Sequence, residues 1–155
     1  MVRAEKLREN AVSRGESFTF ETVFSRREKL DFLIECKKCG YYVKTIYMAT
    51  KNPRINVKRI EERVKSGGHH VPGEMVIDRY YRSMGLLKEI IDASDEIHVY
   101  DNSYGASFCV FIKVDDEMIL LNKERREKWV YQYIERHFEE KITHDFTVEQ
   151  SKIFR

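Results

Sequence analysis

Residues 18–50 constrain the fold more than any other stretch. Phe18-Thr19-Phe20-Glu21-Thr22-Val23 is rich in aromatic and β-branched residues and predicts a buried strand over 18–23. Ser25 then caps a helix over 26–39, whose Leu30, Leu33, Ile34 and Cys36 mark one apolar side. Gly40 ends that helix, and YYVKTIYMAT over 41–50 reads as a second strand. Two strands joined through a helix run parallel with a right-handed crossover. The expected class is therefore α/β, with 18–23, 43–49 and 96–100 as parallel strands of one sheet and helices on both faces.

The remaining elements follow from periodicity and punctuation. MVRAEKLRENAVSR, residues 1–14, reads as a polar helix stopped at Gly15. Asn52-Pro53 turns the chain into a helix over 54–65, with Val57, Ile60 and Val64 inward. A helix over 73–92 carries the stripe Val76, Tyr80, Met84, Leu87 and Ile91. Strand 96–100 ends in the polar cluster Asp101-Asn102-Ser103, and 108–114 with 117–121, around Asp115-Asp116, reads as an antiparallel hairpin. A last helix over about 123–139 buries Trp129 or Val130, Tyr133 and Phe138 in part. Residues 1–140 form one domain, and 141–155 are expected to be a poorly ordered polar tail.

Residues 63–83 have the form of a mobile cationic lid. Gly67, Gly68, His69 and His70 interrupt one helix and Pro72 opens the next. Arg79 and Arg82 share a helix face, so Arg63, His69, Arg79 and Arg82 are candidates to converge on one anion; the alternative is a solvated basic face. Charge supports a small anionic ligand. The net charge is +2, yet residues 51–82 hold eight Lys or Arg against four Asp or Glu, +4, which leaves −2 for the rest. A local basic patch on a near-neutral chain suits a phosphate-containing small molecule better than a nucleic acid.

No apolar run approaches the roughly 18 residues that span a bilayer, and no signal or lipidation motif is present, so a cytoplasmic protein without a membrane partner is expected. Cys36 and Cys39 form a single C-x-x-C with no second pair at zinc-ribbon spacing, and Cys109 lies far off. They read as small helix residues with reduced thiols, and no metal site is expected.

Five motifs together resemble the zeta toxin-like kinases, a family of P-loop phosphotransferases. They are G-E-S-F-T-F-E-T-V-F-S (15–25), Y-M-A-T (47–50), R-V-K-S-G-G-H-H-V-P (63–72), R-Y-Y-R-S (79–83) and V-Y-D-N-S (99–103), in the family's order over about residues 1–105. The resemblance implies a three-layer P-loop-kinase-like parallel sheet, here missing its central first strand, with a C-terminal hairpin and helix. It implies transfer of the ATP γ-phosphate, with Mg²⁺, to a small hydroxyl-bearing substrate, in some relatives a UDP-activated amino sugar, within a toxin–antitoxin context. Glu21 and Thr22 would bind substrate. Arg63, His69, Arg79 and Arg82 would close over the nucleotide phosphates, with Arg79 and Arg82 acting in catalysis, and Asp101, Asn102 and Ser103 would lie toward the base or at the sheet's switch point.

The sequence departs from the family in lacking any G-x-x-x-x-G-K-[ST] loop and the segment that carries the family's catalytic aspartate. The expectation is thus an N-terminally truncated kinase domain, inactive alone, whose sheet is completed by a second chain or a missing N-terminal segment. A non-catalytic nucleotide- or anion-binding module is the alternative. A basic RNA-binding domain is disfavoured, because the patch is short and lacks an RNA-binding signature.

Overall fold

The computed structural model describes residues 2–121 and 126–144. In chain order the elements are α1 (Val2–Ser13), α2 (Arg27–Lys38), β1 (Lys44–Ala49), α3 (Pro53–Lys65), α4 (Gly73–Ala93), β2 (Glu96–Asp101), β3 (Phe108–Val114) and β4 (Glu117–Leu120). A helical segment follows, α5 (Lys128–Val130), a π-helical stretch (Tyr131–Glu135) and α6 (Arg136–Phe138), and then β5 (Ile142–His144). The five strands form one mixed sheet in the order β1-β2-β3-β4-β5. β1 and β2 are parallel, β2–β3 and β3–β4 antiparallel, and β4–β5 parallel.

The α/β class and the parallel pair 44–49 and 96–101 agree with the sequence, but the sheet differs from the expected one in several ways. Residues 18–23 form no strand. Phe18 and Phe20 instead pack on α2, with ring centroids 6.1 and 5.7 Å from Phe32, and Phe18 lies 5.8 Å from Tyr41. Burial alternates along this stretch as in a strand, with Phe18, Phe20 and Thr22 turned in and Thr19, Glu21 and Val23 out. Aromatic and β-branched enrichment therefore reported burial against a helix, not pairing. The hairpin is not an appendage but continues the sheet, and residues 142–144 of the expected tail pair with β4 as β5. The last helix begins at Lys128; residues 123–125 of its expected span, and 145–155 of the tail, lie outside the described residues.

Helices cover one face only among the described residues. Thr45, Tyr47 and Ala49 of β1, Ile97, Val99 and Asp101 of β2, and Phe111 and Lys113 of β3 point to the same side, as the register requires. That side meets Leu30, Leu33 and Cys36 of α2, Met84, Leu87, Ile90 and Ile91 of α4, and Trp129, Val130, Ile134 and Phe138. Full burial of each large apolar side chain is worth ~1.5–3 kcal/mol, so Leu87→Ala at this junction would cost ~2–5 kcal/mol. The opposite face carries Ile46, Met48, His98, Tyr100, Cys109, Ile112 and Ile119, and no described helix provides the expected second helical layer there.

Capping explains both ends of α3 and the C-terminal end of α2, whereas α2 starts after Arg26 with no side-chain cap, so Ser25 is not the cap expected of it. Asn52 caps α3, its Oδ1 accepting from the Arg54 N–H at 2.9 Å, with Pro53 as the first helical residue. At the other end Gly67 takes φ 89°, and the N–H groups of Gly67 and Gly68 donate to Val64 O (3.0 Å) and Arg63 O (3.0 Å), a Schellman ending. Gly40 ends α2 in the same way, through Lys37 O and Cys36 O. The adjacent glycines of the expected lid are thus used as a helix stop. No described helix is long and apolar enough to cross a membrane.

Candidate functional site at the ends of the parallel strands

Parallel register brings the C-terminal residues of two strands side by side: Ala49 pairs with Asp101. Such an edge is where open α/β sheets hold ligands, because loops and helix N-termini gather there. α4 runs back along β2 from Ala93, and with 21 residues it is ~31 Å long against ~20 Å for the six residues of β2. Its N-terminal part therefore stands past the edge. α3 packs against that part, Val57 lying where a Cβ on Gly73 would touch it at 3.4 Å. The α3–α4 hairpin overhangs the strand ends.

Asp101 is the centre of the edge. Its carboxylate has no exposed surface and accepts from the Ser103 N–H at 2.7 Å and from Trp129 Nε1 at 2.9 Å. A bulge in β3, with Val110 the extra residue, lies opposite Val99 and Tyr100 beside this end of β2. Asn102 N–H donates to Ala49 O (2.7 Å), which closes β1 against β2, and Asn102 O accepts from Arg59 Nη2 (2.7 Å) of α3. Arg59 also reaches Tyr104 O at 3.4 Å, all through one nitrogen. Its Nε and Nη1 make no hydrogen bond among the described residues, and no carboxylate pairs with it.

A second cation stands nearby. Lys51 Nζ donates to Tyr104 Oη (2.8 Å) and lies 3.3 Å from Glu127 Oε1, while Tyr104 donates to the same carboxylate. The Tyr104 hydroxyl, then Lys51, hold Glu127 below the ordinary carboxylate value, and Tyr104 and Glu127 raise the Lys51 ammonium. The Lys51 N–H also donates to Ser103 Oγ at 2.8 Å. On the helix side Tyr80 donates to Thr50 O (2.7 Å), and burial raises its phenol well above the usual value. Below it Tyr47 shares a hydrogen bond of 2.8 Å with Ser83 and is pushed up to about 12 by burial.

The sequence-derived candidates divide. Asp101 and Asn102 are at the edge. Arg63 and His69 are exposed on the hairpin, Arg79 is half-buried on α4, and none of the three side chains makes a hydrogen bond or ion pair among the described residues. Arg82 is exposed and forms an ion pair with Asp78 one turn earlier on its own helix. No contact unites Arg63, His69, Arg79 and Arg82 in a single cluster among the described residues. Glu21 is exposed and Thr22 half-buried, on the unpaired segment that packs beside α2. Lys51, Arg59, Tyr80, Tyr104 and Trp129 were not singled out as site residues. The signal for Lys51 was its place directly after a strand, and the signal for Tyr104 its place directly after Asp101-Asn102-Ser103.

The edge fits a phosphate-bearing group through side-chain cations, Lys51 and Arg59, beside the N-terminus of α3. The described residues contain no group of three or more His, Cys, Asp or Glu side chains placed to hold a metal ion. No disulfide joins Cys36, Cys39 and Cys109.

No family model matches the chain. A curated Haemophilus influenzae protein described as uncharacterized is 33% identical over 70 residues, which are 45% of this chain and 50% of that protein. The chain thus spans about half the length of this curated relative. No solved structure matches.

Proposed function

We propose that the chain is part of a zeta toxin-like phosphotransferase domain and that the C-terminal edge of β1 and β2 receives a phosphate-bearing small ligand, with ATP as the nucleotide. One observation carries the reading: Ala49 and Asp101 end in register beneath the overhanging α3–α4 hairpin, with Lys51 and Arg59 beside them. Positioning and charge neutralisation make up nearly all of phosphoryl-transfer catalysis. Arg59 supplies charge with no carboxylate beside it among the described residues, Lys51 adds an ammonium shared with Glu127, and Asp101 and Arg59 fix the loop between them. With no G-x-x-x-x-G-K-[ST] loop in the sequence, the phosphates would meet side chains alone.

A binding module without chemistry is the second reading, and two placements favour it. Glu21 stands exposed outside the sheet, and Arg82 is engaged by Asp78.

Calorimetry of the chain with ATP tests the proposal. Binding should be weak, decline as salt is added, and fall by about tenfold in Arg59→Ala and several-fold in Lys51→Ala. Tight Mg²⁺-dependent binding, or binding that neither substitution alters, would overturn it.

A further inference from the structure

β1 is the outermost strand on one side of the sheet, and its free edge is ordered by its pairing with β2. Val43 O accepts from the N–H groups of Asp95 (2.9 Å) and Glu96 (3.1 Å), and Ala49 O from that of Asn102 (2.7 Å). Odd-numbered residues therefore turn their backbone groups toward β2, and the N–H and C=O groups of Lys44, Ile46 and Met48 face outward. Among the described residues nothing pairs with them. Their side chains lie on the face that no described helix covers, where Ile46 is 64% and Met48 51% exposed, next to Tyr42 at 59%.

Edge strands are ordinarily guarded by proline, a bulge or charged side chains, lysine above all, and β1 carries one such charge, Lys44, at its first position. β1 has no proline and pairs in unbroken register, and Lys44 is engaged by Glu96 at 2.7 Å. We propose that β1 is a self-pairing edge, along which a second copy of this chain docks antiparallel about a twofold axis at Ile46. In that register Lys44 faces the partner subunit's Met48 and Ile46 faces the partner subunit's Ile46. All three outward residues then form hydrogen-bonded pairs, and no like charges oppose each other. The strand is its own complement, so the contact closes as a dimer and does not propagate. An interface built on one strand edge is below the ~1,200 Å² of stable complexes, so the dimer is weak and reversible.

Sedimentation equilibrium of the full chain from ~10 to ~300 µM tests this, a range that spans weak association constants. A monomer–dimer equilibrium is expected. Ile46→Lys sets two lysines opposite each other and should abolish the dimer. Met48→Glu sets a carboxylate opposite Lys44 twice per dimer and should tighten it roughly 2- to 30-fold. Both positions are exposed, and thermal melts should show each variant folded. A wild-type chain that stays monomeric, a dimer indifferent to Ile46→Lys, or one that Met48→Glu leaves unchanged or weakens, overturns the proposal.

Discussion

Replacing Asp101 by Asn keeps the size of a fully buried side chain and removes one acceptor. In the wild type each carboxylate oxygen serves one donor, Oδ1 the Ser103 N–H and Oδ2 the Trp129 indole. The amide of Asn can serve only one, and turns its NH₂ toward the other donor. An orphaned buried donor costs ~1–3 kcal/mol, and the surviving bond loses the assistance of charge. We expect a total of ~2–3 kcal/mol, which for a domain of this length lowers Tm by ~4–12 °C. Trp129→Phe should cost a comparable amount by leaving Oδ2 without its donor. The double variant removes the clash between donors, so its loss should fall short of the sum by at least ~1 kcal/mol. Urea unfolding followed by circular dichroism measures all three, and Trp129, the one tryptophan of the chain, adds a local fluorescence reading for Asp101→Asn. A loss under ~0.5 kcal/mol for Asp101→Asn, or additivity in the cycle, would refute the view that this carboxylate anchors the edge.

Three further outcomes follow from the same contacts. Gly67→Ala places a side chain at φ 89° in open space, so it should lower stability by ~1 kcal/mol in thermal melts while leaving ATP affinity unchanged, because the glycine stops α3 and touches no site residue. Lys44, then His98, hold Glu96 below its ordinary value of 4.5, against the effect of burial. Its contribution is therefore complete above about pH 4.5 and is lost as pH falls through the lower folded value, and Glu96→Gln should flatten that acid limb in denaturant midpoints measured against pH. Tyr47, pushed up to about 12 from 10, acts in the opposite sense: its contribution is complete below pH 10 and is lost as pH rises toward 12, by up to ~2.7 kcal/mol, and Tyr47→Phe should remove this part of the alkaline decline.

What the sequence made legible was local. Asn52-Pro53 and Gly67 bound α3 because capping uses neighbouring residues, and β1 and β2 showed in runs of β-branched and aromatic residues. Segment 18–23 carried the same signal but satisfies it against Phe32 and Tyr41, and no property of a single strand says whether a partner exists. β5, with three residues, is too short to show a period. At the site, Asp101 and Asn102 stood out as polar residues at a strand end. Their partners did not, since Arg59, Tyr80 and Trp129 act across 43, 30 and 28 residues of sequence. The Arg82–Asp78 pair was readable from its spacing, and it withdraws one cation from the expected lid.

The most direct test of the central claim is a titration of isotopically labelled chain with ATP, followed by backbone amide NMR. Lys51, the first turn of α3 and Asn102 to Tyr104 should shift together with one dissociation constant, and the shifts should fade in Arg59→Ala. Amides that stay unmoved at saturating ATP, or shifts confined to β3, β4 and β5, would contradict a ligand site at the ends of β1 and β2.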